Sequence, residues 1–418
     1  MNLQGRKVIK FDIKPSDLED VSVVCDVLNN AFDIHSQNKV EIDWLMDYYK
    51  GKQPVLDKKK EIREEINNKL VLNHAQMITR KIVGYFLGNP IQYISSGIGG
   101  EDKRELVDEL NIHTQYENKA TVDKELGEYQ SILGTAYRII FKDEDFNVGN
   151  GDNVPFEDRS LDPSNTFVVY DSGISGKSLM GTTYYPVIDD KNEVLGNRFY
   201  VYTHFGRYEF LSNGLEALTP DNMIEFVPYD VGGVPIIEYP NNMWRIGDWE
   251  MVIGLMNSIN DLNSGRLDDI DQVIQSLLVF TNADMDEETY DEMREKGVVM
   301  LKNTTGAKSQ IDTITSKLDQ VGISKFAEEL EELLYSLVGV PSRNDGSSSG
   351  GDTGLAIELR DGWADLETIC KNKELVFRQS EKETLKIILH IFNIGRTETL
   401  NRLDLDIKFS RNKNNNML

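Results

Sequence analysis

No run in this sequence approaches the roughly 18 consecutive apolar residues that a membrane-spanning helix requires. Its opening, MNLQGRKVIKFDIKPSDLED, lacks the apolar core of a signal peptide. Cysteine is nearly absent. Cys25 and Cys370 are the only two, without CxxC spacing, which excludes a disulfide framework and a cysteine-rich zinc site. Two buried thiols in an intracellular setting are the expectation. The five histidines, His35, His74, His113, His204 and His390, form no HExxH or HxH pattern, and no nucleophile–base set is legible. Positive charge is scarce as well: 45 Lys and Arg against 70 Asp and Glu leave a net charge of -25. Non-specific binding of nucleic acid depends on Lys and Arg displacing phosphate counterions. A chain this acidic is expected to repel a phosphate backbone rather than grip it.

What is present is a globular composition. The 418 residues are 39% hydrophobic and 28% charged, which excludes a disordered or collagen-like chain and suffices for several structural units. Apolar spacing predicts a helix over 17–32 with Ser16 as N-cap, and a second, short helix near 40–49. The charged stretch 52–66 is expected to be solvated. A helix capped by Asn73 should end at Leu87-Gly88-Asn89-Pro90, before a strand at 91–94. One helical region is expected over 106–133, ending at Gly134. From about 135 to 240 the period changes to short aromatic and β-branched runs separated by turn residues, an antiparallel β-rich block.

After Gly247 a helical stripe begins: Val252, Leu255, Met256, Ile259, Leu262, Leu267, Ile270, Val273, Ile274, Leu277 and Leu278. Its other face carries Asp248, Glu250, Asp261, Asp268, Asp269 and Asp271. A small module follows, with strands at 276–281 and 298–302 and a short helix at 287–296. A second long helix from about 316 bears the stripe Ile323, Phe326, Leu330, Leu333, Leu334, Leu337 and Val338, with Asp319, Glu328, Glu329, Glu331 and Glu332 outside. It stops at Gly339-Val340-Pro341. The Gly/Ser-rich segment SRNDGSSSGGDT follows, then a third long helix over 355–392 and a strand at 403–409. The class is α+β.

Carboxylate pairs are the one hint of catalysis. Asp143 and Asp145 share a turn, and Asp404 and Asp406 stand two apart on the last strand, so a metal-dependent nuclease or nucleotidyl enzyme is the alternative reading. A charged turn and a solvated strand face are the simpler one. The glycines after Asp345 make no phosphate loop, because no Gly-Lys-Ser/Thr follows and the preceding element is a helix. Neither a catalytic residue, a metal nor a cofactor is expected.

Five stretches in order carry a resemblance: Asp47-Tyr48-Tyr49-Lys50-Gly51-Lys52-Gln53-Pro54; Asn67-Asn68-Lys69 through Asn73; Val83-Gly84-Tyr85-Phe86-Leu87-Gly88-Asn89-Pro90-Ile91; Gly134-Thr135-Ala136-Tyr137-Arg138; and Leu161-Asp162-Pro163 with Phe167-Val168-Val169-Tyr170-Asp171. The chain resembles the portal proteins of tailed bacteriophages and prophages of Gram-positive hosts. The resemblance implies a non-enzymatic ring, typically dodecameric, at one capsid vertex of the virion and assembled in the host cytoplasm. Double-stranded DNA would enter through it, driven by the large terminase, and leave later, without sequence-specific binding. Major capsid or scaffolding protein and a head-completion adaptor would be the further partners, with no membrane.

The implied architecture is a wing (1–247), a stem helix (248–275), a clip (276–315), a second stem helix (316–340), a tunnel loop (341–353), a long helix (354–393) and a short or truncated crown (394–418). The acidic stem faces would be Asp261, Asp268, Asp269, Asp271, Asp319, Glu328, Glu329 and Glu332. Clip docking would use Asp286, Glu287, Glu288, Tyr290, Glu292 and Arg294. The loop lining the channel would be Ser342, Arg343, Asn344, Asp345, Gly346, Ser347, Ser348, Ser349, Gly350, Gly351, Asp352 and Thr353.

Overall fold

The structure is a computed structural model and describes residues 5–61, 63–97, 103–143, 154–190, 193–213, 217–274, 277–281, 310–314, 320–341 and 363–411. The fold is α+β. The elements are, in order, β1 (Ile9–Phe11), α1 (Val21–Tyr49), α2 (His74–Phe86), β2 (Gln92–Ser95), α3 (Arg104–Tyr116), α4 (Lys119–Leu133), β3 (Thr135–Lys142), β4 (Phe156–Leu161), β5 (Thr166–Asp171), β6 (Ser178–Ile188), β7 (Val194–Tyr202), β8 (Gly206–Asn213), β9 (Met223–Pro228), β10 (Ile236–Pro240), α5 (Ile253–Ile274), β11 (Leu277–Thr281), β12 (Gln310–Ile314), α6 (Gln320–Val338), α7 (Trp363–Phe392) and β13 (Leu405–Lys408). The chain divides into two compact units, Met1–Lys52 with Asn73–Ile253 and Leu334–Leu418, and Gln53–Leu72 with Gly254–Leu333.

In the larger unit α1 packs on a six-stranded sheet of order β1-β5-β6-β7-β8-β9, antiparallel except for the parallel pair β1–β5. Val24, Leu28 and Ala31 meet Phe167, Met180, Phe199, Val201 and Phe210 in one buried cluster. The expected two N-terminal helices are one, and its N-cap is Asp20, which accepts from the Ser22 N–H at 2.9 Å. Ser16 sits instead in a short 3-10 turn. The helix continues through the polar stretch 33–39 because His35 and Asn38 keep the buried face in register. The His35 Nε2–H donates to the Ser164 carbonyl at 3.1 Å, and Asn38 bridges the Lys7 N–H and C=O.

A second sheet has the order β10-β3-β4, with α7 against β10 and β3. The expected helical region 106–133 is split, because Asn118 turns left-handed at φ 55° between α3 and α4. Gly134 ends α4 at φ +77°, and a Cβ there would lie 2.1 Å from the Arg245 carbonyl oxygen, so no larger residue fits. The β-rich block lies where expected, with β1, β4 and β10 unforeseen. Cys25 and Cys370 are buried free thiols.

In the smaller unit β11 pairs antiparallel with β12, Leu277 opposite Ile314 and Thr281 opposite Gln310. The expected strand 298–302 and helix 287–296 lie outside the described residues, as do 354–362 at the start of the third long helix.

Candidate functional site

Helix α5 buries only the first part of the stripe its apolar spacing suggests. Met256 and Ile259 are buried as expected, but further along Leu267 and Ile270 are exposed, whereas Asn260, Ser264 and Asp268 are buried. The irregular segment 67–72 explains the inversion. Its backbone N–H groups have no sheet partner and need acceptors. Leu72 N–H donates to Asn260 Oδ1 at 2.9 Å, Leu70 N–H to Ser264 Oγ at 2.9 Å, and Asn68 N–H to Asp268 Oδ1 at 2.6 Å. Two residues of extended chain advance about 6.6 Å and four residues of helix about 6.0 Å. Alternate strap residues therefore meet every fourth helix residue, in antiparallel sense.

Asp268 also takes Lys58 Nζ at 2.9 Å and Lys60 Nζ at 2.7 Å. Burial opposes its ionisation, but the Lys60, Lys58 and Asn68 hydrogen bonds outweigh that and hold the carboxyl well below the usual range. Asp268, expected on a solvated acidic face, is therefore an anchor inside the unit, and the stretch 52–66 is correspondingly not simply solvated. Asp271 accepts from Asn68 Nδ2 at 2.7 Å. Asp261 is exposed and Asp269 half-buried.

Helix α6 has three faces. At 3.6 residues per turn, Phe326, Leu330, Leu333 and Leu337 fall within about 60° of one another. Phe326 is 52% exposed, Leu333 48% and Leu337 63%, and Leu330 is half-buried. About 120° to one side lie Glu328, Glu329 and Glu332, all exposed. About 120° to the other lie Ala327, Leu334, Tyr335 and Val338, all buried. Glu331 is half-buried; burial and then Glu328 push its carboxyl up. The sequence stripe is real, but among the described residues Phe326, Leu333 and Leu337 of it are left exposed. Asp319, the six expected clip residues and the whole loop 342–353 lie outside the described residues.

Asp404 and Asp406 do not converge on one site. Asp404 sits in a 3-10 turn before β13, accepts from Asn401 N–H at 2.8 Å and pairs with Lys103 at 3.0 Å, while Asp406 is exposed and pairs with Arg378 at 3.0 Å. Glu144 and Asp145 lie outside the described residues. Among those described, no group of three or more His, Cys, Asp or Glu side chains could hold a metal, and no helix is long and apolar enough to cross a membrane.

The stretches that carried the resemblance have structural work. Arg138, fully buried on β3, reaches Glu381 on α7 and Tyr239 Oη on β10 at 2.8 Å each, Asp158 on β4 at 3.1 Å, and Asp123 on α4. Lys119 joins Asp123 at 2.7 Å and Glu381 at 2.8 Å, and Tyr93 Oη–H donates to Glu381 at 2.6 Å. Burial opposes the Glu381 charge, but Lys119 and Arg138 hold its carboxyl down to about 2. Burial pushes Asp158 up to about 6 against the pull of Arg138. Tyr48 is buried and stacks on Trp249 at 5.5 Å, and Asn73 caps α2 and donates to the Tyr49 carbonyl at 2.8 Å. The partners of Arg138 come from four separated segments, which is why spacing did not reveal the cluster.

The sequence profile described as "Phage portal protein, SPP1 Gp6-like" matches residues 28–418. The chain is also similar to the portal protein of Clostridium phage phiCD119 (strain Clostridium difficile/United States/Govind/2006), with 21% identity over 397 residues, covering 88% of this chain and 84% of that protein. The chain belongs to the SPP1 Gp6-like family of phage portal proteins.

Proposed function

We propose that the chain assembles into a ring, twelve-fold in the virion, standing at one capsid vertex as a conduit for double-stranded DNA. The observation that carries this reading is the three-faced helix α6. A stave in a ring needs one side against its own protomer, one against its neighbour and one toward the bore. Ala327, Leu334, Tyr335 and Val338 supply the first, Phe326, Leu330, Leu333 and Leu337 the second, and Glu328, Glu329 and Glu332 the third. An apolar row left open on a chain of net charge -25 fits a surface covered by another copy. An acidic bore lets a like-charged polymer slide, unlike the basic groove of a protein that grips it.

Within this reading the residues up to 247 form the wing, 248–275 and 316–340 the stem, 276–315 the clip that docks the large terminase and later the head-completion adaptor, 341–353 the tunnel loop, 354–393 the long helix leading to the crown, and 394–418 belong to the crown. Capsid or scaffolding protein surrounds the wing. Negative-stain microscopy of the purified protein tests the ring: particles with a central hole are expected, and a monomer at all protein concentrations would contradict it. Alanine substitution across 342–353 should leave the ring intact and impair DNA packaging; unchanged packaging would remove the loop from the channel.

A further inference from the structure

The chain carries 70 Asp and Glu against 45 Lys and Arg, yet one cavity of its larger unit is cationic. The cavity has a volume of about 640 Å³. Lys10 of β1, Lys177 of the turn before β6, Lys386 of α7, Arg245 and Arg402 line it, against Glu238 and Glu383. Five cations over two carboxylates leave a formal charge of +3. Both carboxylates are engaged: Glu238 holds Arg245 at 2.6 Å and Glu383 lies 3.9 Å from Arg402. Among the described residues none of the three lysines forms an ion pair.

The charges converge. A Cβ on Gly233, itself part of the wall, would stand 3.6 Å from Lys386 Nζ, so that ammonium reaches from α7 to the loop before β10. After burial it is Lys386 and Lys177 that pull the His204 imidazole down, and the buried Nδ1 of that ring has no hydrogen-bond partner among the described residues. Val168, Val234, Ile236 and Ile387 give the cavity apolar walls. Like charges held together beside apolar walls repel one another until a counter-charge enters. Cations drawn from three separate elements suit a ligand whose negative charge is spread over several groups, as in a polyphosphate, rather than one carboxylate. The apolar walls suit a ring, and the volume lies in the range of small-molecule sites, about 300–1,000 Å³.

We propose that this cavity binds a nucleoside polyphosphate, with the phosphates on Lys10, Lys177 and Lys386 and the base between Val168, Val234, Ile236 and Ile387. Bound there, the ligand touches β1, β5, β10 and α7, and so ties the six-stranded sheet to the second sheet and its helix. The site lies within one protomer and goes beyond the ring reading; neither depends on the other.

Calorimetric titration of the purified protein with magnesium-free ATP tests the site. ATP should bind, and adenosine or tripolyphosphate alone should bind at least about tenfold more weakly, because each fills one half of the cavity. Lys10→Ala, Lys177→Ala and Lys386→Ala together should weaken ATP binding at least about tenfold. All three side chains are exposed, so thermal unfolding of this variant without ligand should match the wild type, and ATP should stabilise the wild type far more than the variant. Lys382→Ala, on the same helix but outside the cavity lining, should bind ATP as the wild type does. A wild type that ignores ATP, a triple variant that binds it undiminished, or an equal loss in Lys382→Ala overturns the proposal. Tripolyphosphate binding as tightly as ATP overturns it too, since the apolar walls would then hold no base.

Discussion

Helices α1 and α6 are both amphipathic, and they dispose of their apolar faces differently. Helix α1 buries Val24, Leu28, Ala31, Ile42 and Leu45 within its own unit, with His35 and Asn38 hydrogen-bonded to keep the row continuous. Helix α6 buries one row and leaves a second, from Phe326 to Leu337, open to solvent. Amphipathic spacing announces that a face will be covered; it does not say by which chain. The first helix buries its apolar face within the protomer, and in the proposed ring another copy would cover the open row of the second.

Substitutions can sharpen this contrast by separating protomer stability from assembly. The largest loss of protomer stability should come from Arg138→Ala. Removing it leaves Asp123, Asp158 and Glu381 buried with Lys119 as the one remaining cation of the cluster, a cost of about 3–5 kcal/mol, measurable by urea unfolding. A substitution that leaves stability unchanged would mean the buried cluster holds nothing together.

Acid should act next, through His35. Burial holds its imidazole down to about 4, so the folded state favours the neutral ring. That stability is fully present above the unfolded value near 6.5 and is lost as pH falls from there toward 4. About 3 kcal/mol is at stake. Thermal unfolding at pH 7 and 4.5 should differ by less in His35→Gln than in wild type; an equal drop in both would exclude His35 as the source.

Asp268→Ala should cost about 2 kcal/mol by removing the charged acceptor of the strap. Hydrogen exchange should quicken at Asn68, while the amides of α1 exchange as before. Unchanged exchange at Asn68 would contradict the ladder.

The smallest effect on the protomer should come from Phe326→Lys with Leu333→Lys, within about 0.5 kcal/mol for exposed positions, even though assembly is lost. A variant that unfolds instead of dissociating would place this row in the protomer core and dissolve the contrast with α1.

Much of the architecture was legible in the residues. The Asn73 cap, the change of period at Gly134, the stop at Gly339 and the apolar row of α6 all lay in local sequence. Long-range pairings did not. Asp268 read as one more solvated acid because Lys58, Lys60 and Asn68 stand some two hundred positions away, and Arg138 read as part of a motif because its partners come from α4, β4, β10 and α7. The join between the expected N-terminal helices was hidden by His35 and Asn38, polar residues that a purely apolar period passes over. Asp404 was placed on a strand when its own turn hydrogen bond to Asn401 holds it just before one.

The account turns on where the two open faces of α6 point in the assembly. A cryo-EM map of the ring measures this directly. Glu328, Glu329 and Glu332 should face the bore, with Phe326, Leu330, Leu333 and Leu337 in contact with the adjacent copy. A ring in which α6 stands away from the axis, or turns that acidic row outward, would contradict it.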